Sequence, residues 1–226
     1  MPTLYHFWSV PEAQRIRLAL GYKGMPWEDC PLEYQDDATF FDLGVERRVP
    51  ILRLDDGRLL RDSQEILERI DELLPTGAPL VGGQIAAAAW SALLAWRTKV
   101  DAVLQRLYAP ARPAYRDVGT EPDSLTAYKA EIEGRYGLSV EALANDRYAG
   151  YAQFERITRL GALTRHLVEQ RFYTGRISVA DLLLTADLFP LQLLDGISLP
   201  VDLMYYFSRV EEACGLDLRE GLLLAG

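Results

Sequence analysis

The chain has 226 residues, of which 49% are hydrophobic, and its net charge is -9 at pH 7. This length and apolar content suffice for one large domain or two small ones with well-filled cores. The 24 Lys and Arg residues form no basic cluster and are outnumbered by 33 Asp and Glu. A nucleic-acid partner is therefore disfavoured, since phosphate backbones are bound by positive charge.

Cysteine usage and hydropathy exclude further classes. Cys30 and Cys214 are far apart and form no C-x-x-C pattern, which predicts buried thiols and neither a redox pair nor a zinc site. The N-terminus has no basic stretch before an apolar run, and the apolar segment 177–200 contains three aspartates. We therefore expect no signal peptide, no membrane span and no metal, and a cytoplasmic location.

The sequence pattern of residues 1–75 predicts a small mixed sheet with helices on its faces. The segment 3–8 is β-branched and aromatic, and 11–23 has apolar residues at helical spacing. A strand over 27–32, a helix over 36–43, a hairpin over 50–60 with the turn Asp55-Asp56-Gly57, and a helix over 63–74 follow. The order βαβ then ββα is typical of an α/β domain.

A linker is predicted over residues 76–83, where prolines and glycines interrupt the periodicity. From residue 84 to 226 every apolar pattern is helical, so we expect a second, all-helical domain over 84–226. Its predicted helices cover 84–107, 124–135, 148–172, 179–194 and 201–214. Ser178 and Asp181 stand at the start of the most apolar of these helices. We interpret them as a structural capping box, which satisfies buried donors at a helix start.

Val49-Pro50 enters the third predicted strand. Proline cannot donate to a strand ladder, so it lies where a strand begins or an edge is open. If the Val49–Pro50 bond is cis, the main chain of Val49 turns outward and can pair with an extended peptide. The alternative is an ordinary proline at a strand start. The sequence therefore points to this segment as a candidate peptide-binding edge.

Asp62-Ser63 precedes the helix predicted over 63–74. Asp62 with Glu65 three residues on fits a capping box, and capping alone would explain the pair. The second interpretation is functional. A helix start with free N–H groups and a Ser hydroxyl favours a bound carboxylate.

Taken together, the Val-Pro pair, the hairpin, the Asp-Ser pair and the helix after it resemble the thioredoxin-like domain of glutathione transferases. The resemblance extends to the Ser178-x-x-Asp181 box and covers most of residues 3–212. It implies that Val49-Pro50 holds the cysteinyl part of glutathione and that Asp62-Ser63 takes its γ-glutamyl end. The segments LGYK, VPIL and ADLLLTADLFPL are similar to the glutaredoxin-2-like branch, near the omega-like transferases.

That branch has a cysteine at the start of its first helix, where this chain has Val10-Pro11. A valine supplies no thiolate, so dithiol exchange is not expected. Transferase chemistry needs no thiol of the protein, because the thiol of glutathione is itself the nucleophile. A hydroxyl beside a helix N-terminus lowers a thiol pKa from about 8.5. Ser9 is the nearest hydroxyl, with Tyr5 and His6 as alternatives; Ser9 could instead only cap the helix.

In this family the acceptor pocket lies between the domains, along the first long helix of the second. The residues that the resemblance assigns to it are Trp96, Tyr108, Arg112 and Tyr115; the alternative is that they are core. The expected function is binding of glutathione, as co-substrate, and conjugation of its thiolate to a small electrophile in detoxification. A non-catalytic glutathione-binding or protein-interaction role is the alternative, and a thiol transferase is a third reading. A homodimer stays open.

Overall fold

Strand β1 (Thr3–His6) is one of the two inner strands of a four-stranded sheet, in a computed structural model that describes residues 1–223. β1 pairs in parallel with β2 (Glu28–Pro31) and antiparallel with β3 (Ile51–Arg53), and β3 pairs antiparallel with β4 (Leu59–Leu60). The strand order is β2-β1-β3-β4. Residues 224–226 of the predicted helical domain lie outside the described residues.

Helix α1 (Pro11–Lys23) lies between the sheet and the helical region. Proline at its first position has the backbone angle that a helix start requires, and Gly24 ends the helix with a left-handed φ of 63°. Most of its side chains are buried, because α1 contacts α3 (Ser63–Glu68) on one side and α11 (Val179–Leu188) and α12 (Val201–Cys214) on the other. Charged residues on α1 must therefore find partners inside the protein.

The remaining helices in the sheet region are α2 (Asp37–Leu43) and α4 (Ile70–Leu73). Those of the helical region are α5 (Ala87–Tyr108), α6 (Arg116–Gly119), α7 (Pro122–Tyr136), α8 (Val140–Asn145), α9 (Arg147–Thr158) and α10 (Leu160–Gln170). Short 3-10 helices cover Arg112–Ala114 and Phe189–Leu193. None of the helices in residues 1–223 combines the length and apolar character needed to cross a membrane. The predicted fold class, a thioredoxin-like sheet followed by a helical region, is confirmed, and the Val49–Pro50 bond is cis.

Several predicted helices are shorter than the sequence pattern indicated. The helix predicted over 148–172 is broken at Arg159, which has a positive φ of 52°, because α9 packs on α5 whereas α10 packs on α12. The helix predicted over 63–74 is interrupted at Arg69. Pro190 follows α11, where the chain continues as a 3-10 helix. Cys30 is only partly buried, which corrects the prediction for that thiol, whereas Cys214 is buried.

The capping box at the start of α11 is present. The Ser178 hydroxyl accepts from the Ala180 N–H at 3.3 Å, and the Asp181 carboxylate accepts from the Ser178 N–H at 2.9 Å. Asp181 also accepts from the Tyr173 N–H at 2.7 Å and from the Tyr206 hydroxyl at 2.8 Å. Burial raises the pKa of this carboxyl group, although these hydrogen bonds oppose the shift. One carboxylate thus joins α11, α12 and the segment before α11.

Asp181→Ala should lower the free energy of unfolding by about 3 kcal/mol, because four donors lose this acceptor: the N–H and the hydroxyl of Ser178, the Tyr173 N–H and the Tyr206 hydroxyl. The measurement is chemical denaturation at neutral pH. Ser139→Ala is the matched control: Ser139 caps the short, more exposed helix α8 through a single bond of 3.2 Å to the Ala142 N–H, so its loss should cost about 1 kcal/mol or less. Equal losses for the two variants would contradict this account of Asp181.

Candidate functional site

A polar cavity of about 120 Å³ lies where α3 begins, against α1, α5 and α11. Its lining contains guanidinium and carboxylate groups together with one hydroxyl. These groups belong to Glu12, Arg15, Arg48, Asp62, Ser63 and Arg97. A cavity with both signs of charge is suited to a zwitterionic group, which carries an ammonium and a carboxylate on neighbouring atoms.

Asp62 and Ser63 are both at this cavity, as the sequence predicted. Asp62 caps α3, because one of its oxygens accepts from the N–H groups of Gln64 at 2.8 Å and Glu65 at 3.0 Å. The reciprocal half of the predicted capping box is absent: the Glu65 side chain accepts from Arg69 instead. Ser63 is buried, and its hydroxyl accepts from Arg15 at 3.2 Å. The cap therefore explains one oxygen of Asp62 and leaves the other free.

A buried ion cluster stands behind Ser63. Arg15 pairs with Asp187 on α11 through two nitrogens, and Arg97 on α5 reaches the other Asp187 oxygen at 3.1 Å. Glu12 pairs with Arg97 at 2.5 Å and with Arg15 at 3.5 Å. Burial alone would raise the pKa of Glu12, but the charges of Arg15 and Arg97 outweigh it and lower that pKa. The cluster connects the start of α1 to α5 and α11 of the helical region.

Arg15 and Arg17 stand two residues apart on α1, and both are buried and paired. Arg17 pairs with Glu220 at 2.7 Å and Asp29 at 3.2 Å, and its guanidinium lies 4.3 Å from the centre of the Trp8 ring. The two arginine side chains thus extend from different faces of α1.

Val49 lies in the buried segment before β3. Within residues 1–223 its N–H and carbonyl take part in no backbone hydrogen bond, because the ladder of β3 begins only at Ile51. The side chain is buried together with Phe7, Leu32 and Ile51. The main chain of Val49 therefore keeps a donor and an acceptor that no other strand uses.

Ser9 is bonded to the helical region. It is 4% exposed, its hydroxyl donates to Oδ2 of Asp117 at 2.6 Å, and its N–H donates to Oδ1 at 3.2 Å. The alternative that Ser9 caps α1 is wrong, since the cap residue is Val10 and no side chain caps this helix. Burial raises the pKa of Asp117 to about 6, although the bonds from Ser9 and the charge of Arg112 oppose the shift.

The two alternatives to Ser9 are held elsewhere. His6 is fully buried, and its Nε2 lies 2.7 Å from Asp29 on β2, with its ring packed edge-on against Trp8. Tyr5 is partly buried in the sheet, below the guanidinium of Arg53. Neither ring lines the cavity at Asp62 and Ser63.

Of the four residues predicted for the acceptor pocket, Trp96 lies apart, whereas Tyr108, Arg112 and Tyr115 are neighbours. Tyr108 lines a crevice of about 10 Å³ beside Pro11 and Glu12, whereas Trp96 lines a separate cavity of about 140 Å³ inside the helical region. The reason is helical geometry, because residues twelve apart on α5 face directions about 120° apart. Tyr115 is buried, and Arg112 donates to Gln105 at 2.9 Å. This corrects the expectation of one shared pocket.

Sequence reasoning did not identify the partners that complete the site. Glu12, Arg97, Asp117 and Asp187 all contact a predicted residue or its neighbour. A signal existed for Asp187, since an acid inside a very apolar helix indicates a buried partner. Asp117 carries no comparable signal, because it lies in a short helix that the periodicity did not predict.

Residues 4–78 match the family described as "Glutathione S-transferase, N-terminal domain". The chain is similar to proteins of the glutathione S-transferase superfamily, including those of its glutaredoxin-2-like branch. Glutaredoxin 2 of Escherichia coli K12 is 25% identical over 98% of this chain and 99% of its own length.

Two solved structures share the fold. Glutaredoxin 2 from Salmonella typhimurium in complex with glutathione has a TM-score of 0.79 at 24% identity and covers 96% of both chains. A glutathione S-transferase of Ceriporiopsis subvermispora in complex with glutathione has a TM-score of 0.69 at 16% identity, covering 95% of this chain and 96% of its own. In the described part of this chain, no cluster of three or more His, Cys, Asp or Glu is arranged to hold a metal ion.

Asp117→Asn should make stability less dependent on pH. The pKa of Asp117 is raised from 3.8 to about 6 on folding, so its contribution to stability is complete below the unfolded value and is lost as pH rises through the folded value. Asparagine resembles the neutral acid. Relative to the original protein, the variant should gain about 3 kcal/mol between about pH 3.5 and about pH 7.

The measurement is denaturant unfolding across this pH range. Glu169→Gln is the control, since Glu169 is an exposed carboxyl group on α10, and its pH dependence should match that of the original protein. A constant difference between Asp117→Asn and the original protein would contradict the raised pKa.

Proposed function

We propose that this chain binds glutathione in the cavity at Asp62-Ser63 and along Val49, and conjugates its thiolate to a small electrophile as a glutathione S-transferase. The observation that carries the proposal is the cavity itself. It joins arginines and carboxylates to a buried Ser hydroxyl, beside the start of α1. Two proteins that share the fold are described as complexes with glutathione.

The γ-glutamyl end of glutathione carries one ammonium and one carboxylate. The free oxygen of Asp62 supports a role as acceptor for the ammonium, while the Ser63 hydroxyl and the charges of Arg15 and Arg97 suit the carboxylate. The unused N–H and carbonyl of Val49 can pair with the cysteinyl residue in the manner of an added strand. This orientation brings the thiol toward the N-terminus of α1.

The start of α1 favours a negative charge on that sulfur. α1 has 13 residues, and the dipole of a helix stabilises an anion at its N-terminus by roughly 0.3–1 kcal/mol. Val10 offers no thiol of its own, so the nucleophile is the sulfur of glutathione. Ser9, one residue earlier, is the proposed partner of that sulfur, because its hydroxyl oxygen keeps lone pairs while its proton is donated to Asp117.

A second candidate is a glutathione-binding protein without transferase activity. The engaged Ser9 hydroxyl and the small crevice at Tyr108 favour it, since Ser9 donates its proton to Asp117 and this crevice beside α1 measures only about 10 Å³. Glutathione binding without turnover over a panel of electrophiles and peroxides would support this second candidate. A cytoplasmic role in detoxification belongs to the first candidate. For either candidate, a mass measurement in solution decides whether the chain is a monomer or a homodimer.

Ser63→Ala and Asp62→Asn should each weaken glutathione binding about tenfold or more, because each removes one bond to a charged group of the ligand. Asp62→Asn retains an oxygen that can cap α3, so the fold should persist. Isothermal titration calorimetry measures the affinity, and Ser139→Ala, a cap far along the chain on α8, is the control. Unchanged affinity in both site variants would show that glutathione binds elsewhere. No measurable binding to the original protein would contradict the proposal itself.

Val10→Cys should create reduction of glutathione mixed disulfides where the original protein has almost none. The new thiol would stand at the N-terminus of α1, where thiol pKa values fall and thiolate forms. A standard assay with a small glutathionylated substrate measures the gain, and Val140→Cys, on α8, controls for an added thiol. High activity in the original protein would instead favour the thiol-transferase reading.

A further inference from the structure

A carboxylate of the helical region is attached to the residue that precedes α1. Asp117, on α6, is 1% exposed and receives both the hydroxyl and the N–H of Ser9, at 2.6 and 3.2 Å. The two residues are 108 positions apart in the chain. This contact therefore places a proton acceptor directly behind the hydroxyl that the proposed function puts next to the glutathione sulfur.

Holding the loop in place does not require a carboxylate at this position. The side-chain oxygen of an asparagine could accept the Ser9 N–H equally well, without the cost of burying a charge, which is several kcal/mol for an unpaired ion. The charged groups that face Asp117 are few: Arg112 lies close enough to lower its pKa, and Tyr115 is a neutral neighbour. A buried carboxylate that is bonded to a hydroxyl is chemically able to take a proton.

We propose that Asp117 takes up the proton of the glutathione thiol through the hydroxyl of Ser9. The inference rests on the proposed function. The S–H bond breaks and its proton passes to the Ser9 oxygen, while the O–H bond directed at Asp117 breaks and that proton passes to Oδ2. The products are a thiolate, a Ser9 hydroxyl that now donates to the sulfur, and a neutral Asp117. Asp117 acts through Ser9 and is therefore a positioning residue.

The transfer moves one negative charge from the buried carboxylate of Asp117 to a sulfur beside the N-terminus of α1, where the helix dipole favours an anion. Glu12, in the first turn of that helix, repels a negative charge on the sulfur only weakly, because Arg15 and Arg97 pair with Glu12. After the sulfur–carbon bond has formed, Ser9 donates its proton to the anion or leaving group of the electrophile and takes the proton back from Asp117, so the protein holds one proton for the duration of the step.

The test compares thiolate formed with protons released when glutathione binds. Thiolate is measured by its ultraviolet absorbance, and released protons by calorimetry in buffers of different ionisation enthalpy, at about pH 7.5, above the range in which Asp117 titrates. The original protein should form thiolate and release well under one proton for each thiolate formed. In Asp117→Asn and Ser9→Ala the bound thiol should return toward its free pKa of about 8.5, and each thiolate formed at higher pH should release one proton.

The double variant should show no further loss, because both changes interrupt the same path. Glu169→Gln, the exposed control, should behave as the original protein. One released proton per thiolate in the original protein, or bound glutathione that stays a thiol, would overturn the inference while leaving the proposed binding intact. No heat of glutathione binding at all would instead overturn the proposed function. The proton count of the original protein decides the matter even if a variant does not fold.

Discussion

The pairing of Arg15 with Asp187 is the contact on which the candidate site depends. α1 packs against α3 on one side and against α11 and α12 on the other, so the buried Arg15 has almost no access to water. A buried ion costs several kcal/mol unless a partner and further hydrogen bonds compensate it. Asp187, Arg97 and Glu12 supply that compensation. They thereby fix the start of α1 against α5 and α11.

The same cluster decides where a ligand can bind. Arg15 reaches the Ser63 hydroxyl, and Arg97 brings a charge of the helical region to a cavity that otherwise belongs to the sheet region. The Ser9–Asp117 contact also joins the two regions, in the segment between β1 and α1. The proposed binding and thiol chemistry thus both lie where the two regions meet, and neither region holds the complete set of groups.

Val10 separates this chain from the branch of the family that it resembles. A protein thiol at the start of α1 would carry out exchange chemistry by itself, whereas a valine leaves the sulfur of the ligand as the only nucleophile at that place. Cys214 is buried with a raised pKa, and Cys30 lies on β2, so neither substitutes for the missing thiol. Under the proposed function, the electrostatics around α1 therefore act on the sulfur of glutathione instead of on a cysteine of the protein.

The sequence by itself determined the features that depend on neighbouring residues. The proline before β3, the Asp62 cap and the Ser178–Asp181 box follow from backbone geometry and from bonds three residues long, as does the order of strands and helices. Only the tertiary structure decided that Ser9 meets Asp117, that Arg15 meets Asp187 across 172 positions, and that Trp96 and Tyr108 face different cavities. Such contacts depend on how α1, α5, α6 and α11 pack, and periodicity shows that a face is buried without showing which residue covers it.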